Sequence, residues 1–130
     1  RHPRGQADSL LGLAAAQRLH GRPADALASA GQARDLAARC GFRLVEGQAR
    51  AELAEIHAAA GRPAEARDHA TAAAAVQRET GHRLGEARAL DALARALDAL
   101  GRAGDAGLAR QRSADLYAEA GAAPEAPATA

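Results

Sequence analysis

With 130 residues and a mass of 13.2 kDa, the chain has the length of one ordinary domain. Alanine supplies 41 of its 62 apolar residues and leucine 15, while β-branched and aromatic side chains are nearly absent, a mixture that favours helix and excludes an all-β or doubly wound fold. Seventeen arginines against sixteen acids leave a net charge of +1 with the signs interspersed, so no basic stripe exists to neutralise a phosphate backbone, and nucleic acid is not an expected partner.

In chain order, residues 1–6 read as an N-terminal lead-in. Arg1-His2-Pro3-Arg4-Gly5 has neither an initiating Met nor the apolar stretch of a signal peptide, which points to a segment of a longer polypeptide. Glycines then fall at 21, 41, 61, 81, 101 and 121, each after a helix-compatible run. Glycine tolerates the left-handed conformation that ends a helix, so this twenty-residue beat predicts six helices of about sixteen residues, each about 24 Å long. No apolar run approaches the roughly 18 residues of a membrane span, and the single Cys40 cannot form an internal disulfide. Cytoplasm is the default location.

The true repeat is forty residues. Residues 21–60 aligned with 61–100 share fifteen identities, among them Gly21/Gly61, Pro23/Pro63, Ala26/Ala66, Arg43/Arg83, Glu46/Glu86 and Leu53/Leu93. Two cassettes recur. Gly21-Arg22-Pro23-Ala24-Asp25-Ala26, Gly61-Arg62-Pro63-Ala64-Glu65-Ala66 and Gly101-Arg102-Ala103-Gly104-Asp105-Ala106 have the chemistry of a tight helical hairpin. Gly ends one helix, Pro suits the first turn of the next because its missing N–H would be unpaired there, and the acid faces the positive end of the dipole. Between units, Gly41-Phe42-Arg43-Leu44-Val45-Glu46 and Gly81-His82-Arg83-Leu84-Gly85-Glu86 mark a second reused turn. The third hairpin cassette lacks Pro and carries an extra Gly104, so the last helix is expected to fray first. Residues 121–130 read as a disordered Ala/Pro tail.

These features resemble the tetratricopeptide repeat (TPR), a helix-turn-helix unit that stacks into a superhelix. The family's Leu-Ala pair of the first helix falls on Leu13-Ala14, Leu53-Ala54 and Leu93-Ala94, and its close-approach positions fall on Ala26, Ala66 and Ala106 and on Ala33, Ala73 and Ser113. The resemblance implies an all-α solenoid over residues 7–120, with repeats at about 7–40, 47–80 and 87–120. Where the family prefers large aromatics the chain has Leu10, Arg50 and Leu90, then Gln17, His57 and Leu97, then Ala30, Ala70 and Arg110, so the core should be thin. The forty-residue spacing resembles long-repeat variants in the C-terminal sensor arrays of bacterial signalling and transcription regulators.

The resemblance also implies a non-enzymatic module that binds a protein, a peptide or another domain of its own chain along the concave face of the first helices. By position that face holds Asp8, Leu11, Ala15 and Arg18, then Gln48, Glu52, Glu55 and Ala58, then Arg88, Asp91, Arg95 and Asp98. The expected binding residues are Arg18, Gln48, Glu52, Glu55, Arg88, Asp91, Arg95 and Asp98, with Glu52 and Glu55 pairing with Arg88 and Arg95 across the groove. The family's Lys/Asn/Arg carboxylate clamp is not matched, since the chain has no Lys and no Asn. The alternative is a purely structural solenoid segment.

No catalytic, cofactor or metal site is expected. His57, His69 and His82 are spaced by twelve and thirteen residues, which fits no ligand motif. Cys40 sits at the negative end of a helix, where a thiolate is disfavoured, and without Lys no phosphate loop can be written. The helical spacing of Leu90, Leu93, Leu97 and Leu100 predicts core. Leu108 and Leu116 lie on a final helix with no cap after it, an expected surface for a partner or a second copy.

Overall fold

The computed structural model describes residues 2–121, which form six helices: α1 (Pro3–Leu19), α2 (Pro23–Cys40), α3 (Arg43–Ala59), α4 (Pro63–Glu79), α5 (Arg83–Ala99) and α6 (Ala103–Glu119). Helix α1 begins at Pro3, inside the expected lead-in, because a proline in the first turn starts it as Pro23 and Pro63 start α2 and α4. The later repeats likewise begin about four residues ahead of the expected boundaries, at Arg43 and Arg83. Of the predicted tail, residues 122–130 lie outside the described residues.

All six periodic glycines adopt the left-handed conformation, with φ from 70° to 75°. The residue after each of the first five donates its N–H back five positions: Arg22 to Gln17, Phe42 to Ala37, Arg62 to His57, His82 to Gln77 and Arg102 to Leu97, at 2.8–2.9 Å. That pairing closes the last turn of each helix and satisfies carbonyls that would otherwise be orphaned. The same turn therefore serves within hairpins and between them.

Each helix packs on its sequence neighbour, and the first helices of successive repeats, α1, α3 and α5, also touch one another. Among the described residues, eighteen of the twenty-five buried apolar side chains are alanines, so the layers hold together by close approach of backbones more than by large side chains. Ala26, Ala66, Ala106, Ala33, Ala73 and Ser113 are all buried, as are Ala14, Ala54 and Ala94. The larger anchors are Val45, Leu53, Ile56, Val76, Leu97, Leu116 and Tyr117.

One repeat position differs between layers, and one expectation needs correction. Leu13 is 48% exposed where its counterpart Leu53 is 3% exposed, because Leu53 packs against α2 of the preceding repeat while α1 has no preceding layer among the described residues. Leu116 is not a free apolar surface of the last helix: it packs with Ala87, Leu90 and Tyr117, leaving Leu108 as the exposed leucine of α6. In the leucine row of α5, Leu97 is buried and Leu90, Leu93 and Leu100 are half-buried. Among the described residues no helix is long and apolar enough to cross a membrane.

Candidate functional site

Helices α3 and α5 lie side by side and flank a groove of about 320 Å³. Gln48, Glu52 and Glu55 line it from α3, and Arg88, Asp91 and Arg95 from α5. Their spacing of three and four residues puts each trio on one helix face. Small side chains, among them Ala54, Ala70 and Ala89, form the floor and let the groove approach the backbone closely.

The groove's charges are largely paired. Arg95 Nη2 donates to Glu55 Oε1 at 2.8 Å, the cross-groove pairing expected from the sequence. Glu52 is not paired with Arg88: it is taken by Arg18 of α1, whose guanidinium is held still more firmly protonated by that hydrogen bond. Asp91 accepts from the Tyr117 hydroxyl at 3.3 Å. Of the groove's carboxylates and guanidiniums, Arg88 is the one that forms no ion pair or hydrogen bond among the described residues.

Six of the eight expected binding residues therefore meet in one place, and Arg18 joins them through Glu52. Asp98 does not. It lies one further turn along α5 and its carboxylate accepts from Arg110 of α6, so it braces the third hairpin. Sequence reasoning missed three contributors to the groove, Gln77, His82 and Tyr117. Gln77 and Tyr117 come from second helices, where the family pattern places packing, and no periodic signal marked them.

Gln77 is 3% exposed and reaches between α3 and α5. Its amide satisfies both atoms with the NH2 toward the carbonyl oxygens of Gly85, at 2.8 Å, and Ala73, at 3.2 Å. It fits because positions 47 and 85 carry no side chain: a Cβ on Gly85 would stand 2.8 Å from the end of the Gln77 amide, its oxygen in this orientation, and one on Gly47 would stand 3.1 Å from its Cγ.

A larger hollow, about 840 Å³, lies between α1 and α2 and includes Leu10, Leu13 and Leu36 with Asp35 and Arg39. Its α1 side, Gly5, Ser9 and Leu13, occupies the register of Val45, Ala49 and Leu53. It lies on the outer side of the first described layer, and His2, Gln6, Ser9 and Gln32 also line it.

His57 and His69 come together on the facing sides of α3 and α4, while His82 stands apart at the start of α5. Among the described residues no three His, Cys, Asp or Glu side chains gather as metal ligands would.

No family model and no curated protein matches the chain. Its backbone is similar to the crystal structure of the TPR domain of Arabidopsis FLU, with a TM-score of 0.83 at 19% identity over 91% of this chain and 99% of that one. The fold is accordingly all-α, a TPR-type solenoid of helix-turn-helix repeats.

Proposed function

We propose that this solenoid is a non-catalytic module that binds a protein or peptide in the groove between α3 and α5, with Arg88 as the anchor for an acidic side chain or C-terminal carboxylate. The observation that carries this reading is the charge inventory of the groove. Glu52 and Glu55 are each ion-paired with an arginine and Asp91 accepts from a hydroxyl, so a ligand entering the groove meets two neutralised acids, one hydrogen-bonded carboxylate and, in Arg88, a guanidinium with no partner among the described residues. Arginine can hold a carboxylate through two parallel N–H donors, and Gln48 across the groove supplies both a donor and an acceptor for an extended peptide backbone. The two recurring cassettes support the narrower reading, a C-terminal sensor or scaffold segment of a bacterial signalling or transcription regulator.

The test is a displayed library of random peptides panned on the chain. Enriched sequences are expected to share an Asp, Glu or free C-terminus. A charge-assisted hydrogen bond contributes about 1.5–3 kcal/mol, so Arg88→Glu should weaken them by at least about tenfold with an unchanged melting temperature. The second reading, a solenoid segment whose groove contacts nothing, is favoured by the self-satisfied pairs Arg18–Glu52 and Glu55–Arg95. It predicts a panning experiment with no enrichment.

A further inference from the structure

The crossing point of each hairpin is filled by the same two positions, forty residues apart from repeat to repeat, and each pair is chemically matched. In the first repeat Ser29 Oγ donates to Gln17 Oε1 at 2.8 Å. In the third, Leu97 and Ala109 share an apolar cluster. In the second the pair is His57 and His69, whose rings stack with centroids 5.2 Å apart and planes within 8° of parallel. Hydroxyl with amide, methyl with methyl and ring with ring are three solutions to one packing problem, and the middle one carries ionisable groups.

Its surroundings are set against protonation. Arg62, at the start of α4, donates from Nε to His57 Nδ1 at 2.9 Å, which requires that nitrogen to keep its lone pair. In the first and third repeats the corresponding arginines behave differently: Arg22 and Arg102 pair with Asp25 and Asp105 at 2.7 and 2.6 Å. Around His69 stand Arg50 of α3 and Arg34 of α2. Arg50 Nε and His69 Nδ1 are both buried without a hydrogen-bond partner. The opposing acids are Glu65 for His57 and Asp68 for His69, both on α4. Asp68 is already engaged by Arg67 at 3.1 Å. Burial first, then Arg62 for His57 and, for His69, the facing His57 ring followed by Arg50 and Arg34, hold both imidazoles below the ordinary histidine value of 6.5.

We infer that the middle hairpin is an acid-sensitive joint, closed by two neutral stacked imidazoles and opened when the stack takes up protons. A proton on His57 Nδ1 would point an N–H at the Arg62 guanidinium, and a second on His69 would put two parallel cations in contact. The sign follows from linkage. Below the ordinary value the unfolded chain binds more protons than the folded one, so the joint's contribution is complete above that pH and is lost as pH falls through it. Helix α3 also carries Gln48, Glu52 and Glu55, so the same opening would displace one wall of the groove; that consequence rests on the groove reading, and the joint itself does not.

The experiment is thermal unfolding, by circular dichroism, of the whole chain from about pH 7.5 to about pH 5, alongside two double variants that import the neighbouring solutions. These are His57→Gln with His69→Ser, from the first repeat, and His57→Leu with His69→Ala, from the third. Carboxylate titration is common to all three proteins and cancels in the comparison. The wild-type chain is expected to lose several degrees more than either variant over this range, while His82→Gln loses as much as wild type. A flat wild-type profile, or equal losses in the variants, overturns the inference. Should one double variant fail to fold, the other and the wild-type imidazole NMR titration still decide: both rings titrating at or above the ordinary value would also overturn it.

Discussion

Position 77 is Gln in the second repeat, Ala at the corresponding place in the first and Tyr in the third. Ala37 packs with Ala7 and Val45, whereas Gln77 is enclosed by Gly47 and Gly85. Bulk lost on one helix is regained on the next, the compensation a close-packed interior demands. Gly85→Val should therefore destabilise the domain by about 1–3 kcal/mol, since its Cβ would displace the Gln77 amide from the Gly85 and Ala73 carbonyls. Gly85→Val combined with Gln77→Ala recreates the Ala37–Val45 contact and should recover most of that loss in urea unfolding, a coupling of about 0.5–3 kcal/mol. A double variant no more stable than the single would show that the two layers do not exchange packings. This is also the scale at which the sequence was hardest to read. The beat of glycines announces turns, but nothing in it says that Gln77 enters the layer above, that His57 meets His69, or that Glu52 pairs backward with Arg18 rather than across with Arg88. Each depends on the superhelical offset between layers, which spacing along the chain does not contain.

The helices themselves were legible because each boundary rests on local chemistry. Pro23 and Pro63 open α2 and α4, the periodic glycines close the helices in the left-handed conformation, and alanine supplies intrinsic propensity between them. Boundaries were legible only to within a turn at Pro3, Arg43 and Arg83, where an arginine-rich start looks like linker. Helix α6 is the exception to the cassette, with Ala103 in place of proline and Gly104 and Gly107 following in its first turns. The backbone before it is already suited to a proline: Arg102 has φ −107° and ψ 61°, close to the −115° and 74° of Arg62, which precedes Pro63. Ala103→Pro is thus expected to stabilise the chain by about 0.4–1 kcal/mol by narrowing the unfolded ensemble. Hydrogen exchange at the N–H groups of the α6 first turns should slow in step. A loss of stability would mean that the third turn differs from the second in a way the shared dihedrals hide.

Across the described residues, the three first helices are tied in series, α1 to α3 by Arg18–Glu52 and α3 to α5 by Glu55–Arg95 along the groove. Arginines and acids placed this way can hold a spacer in shape, or they can hold a binding surface ready, and the two roles differ in what reversal of one charge does. The Arg95 and Glu55 side chains are 58% and 39% exposed, and an exposed pair of this kind contributes about 0.2–1 kcal/mol. Arg95→Glu should therefore shift the melting temperature little, because two carboxylates on facing helices can turn outward into water. In the groove the same change subtracts two units of positive charge beside Arg88. An acidic peptide captured by the wild-type chain should then bind at least about tenfold more weakly, with a smaller dependence on salt as attractive charge is removed. Capture that survives Arg95→Glu at unchanged stability would move the partner off this face, leaving the ion pairs as braces of a solenoid whose groove holds only water.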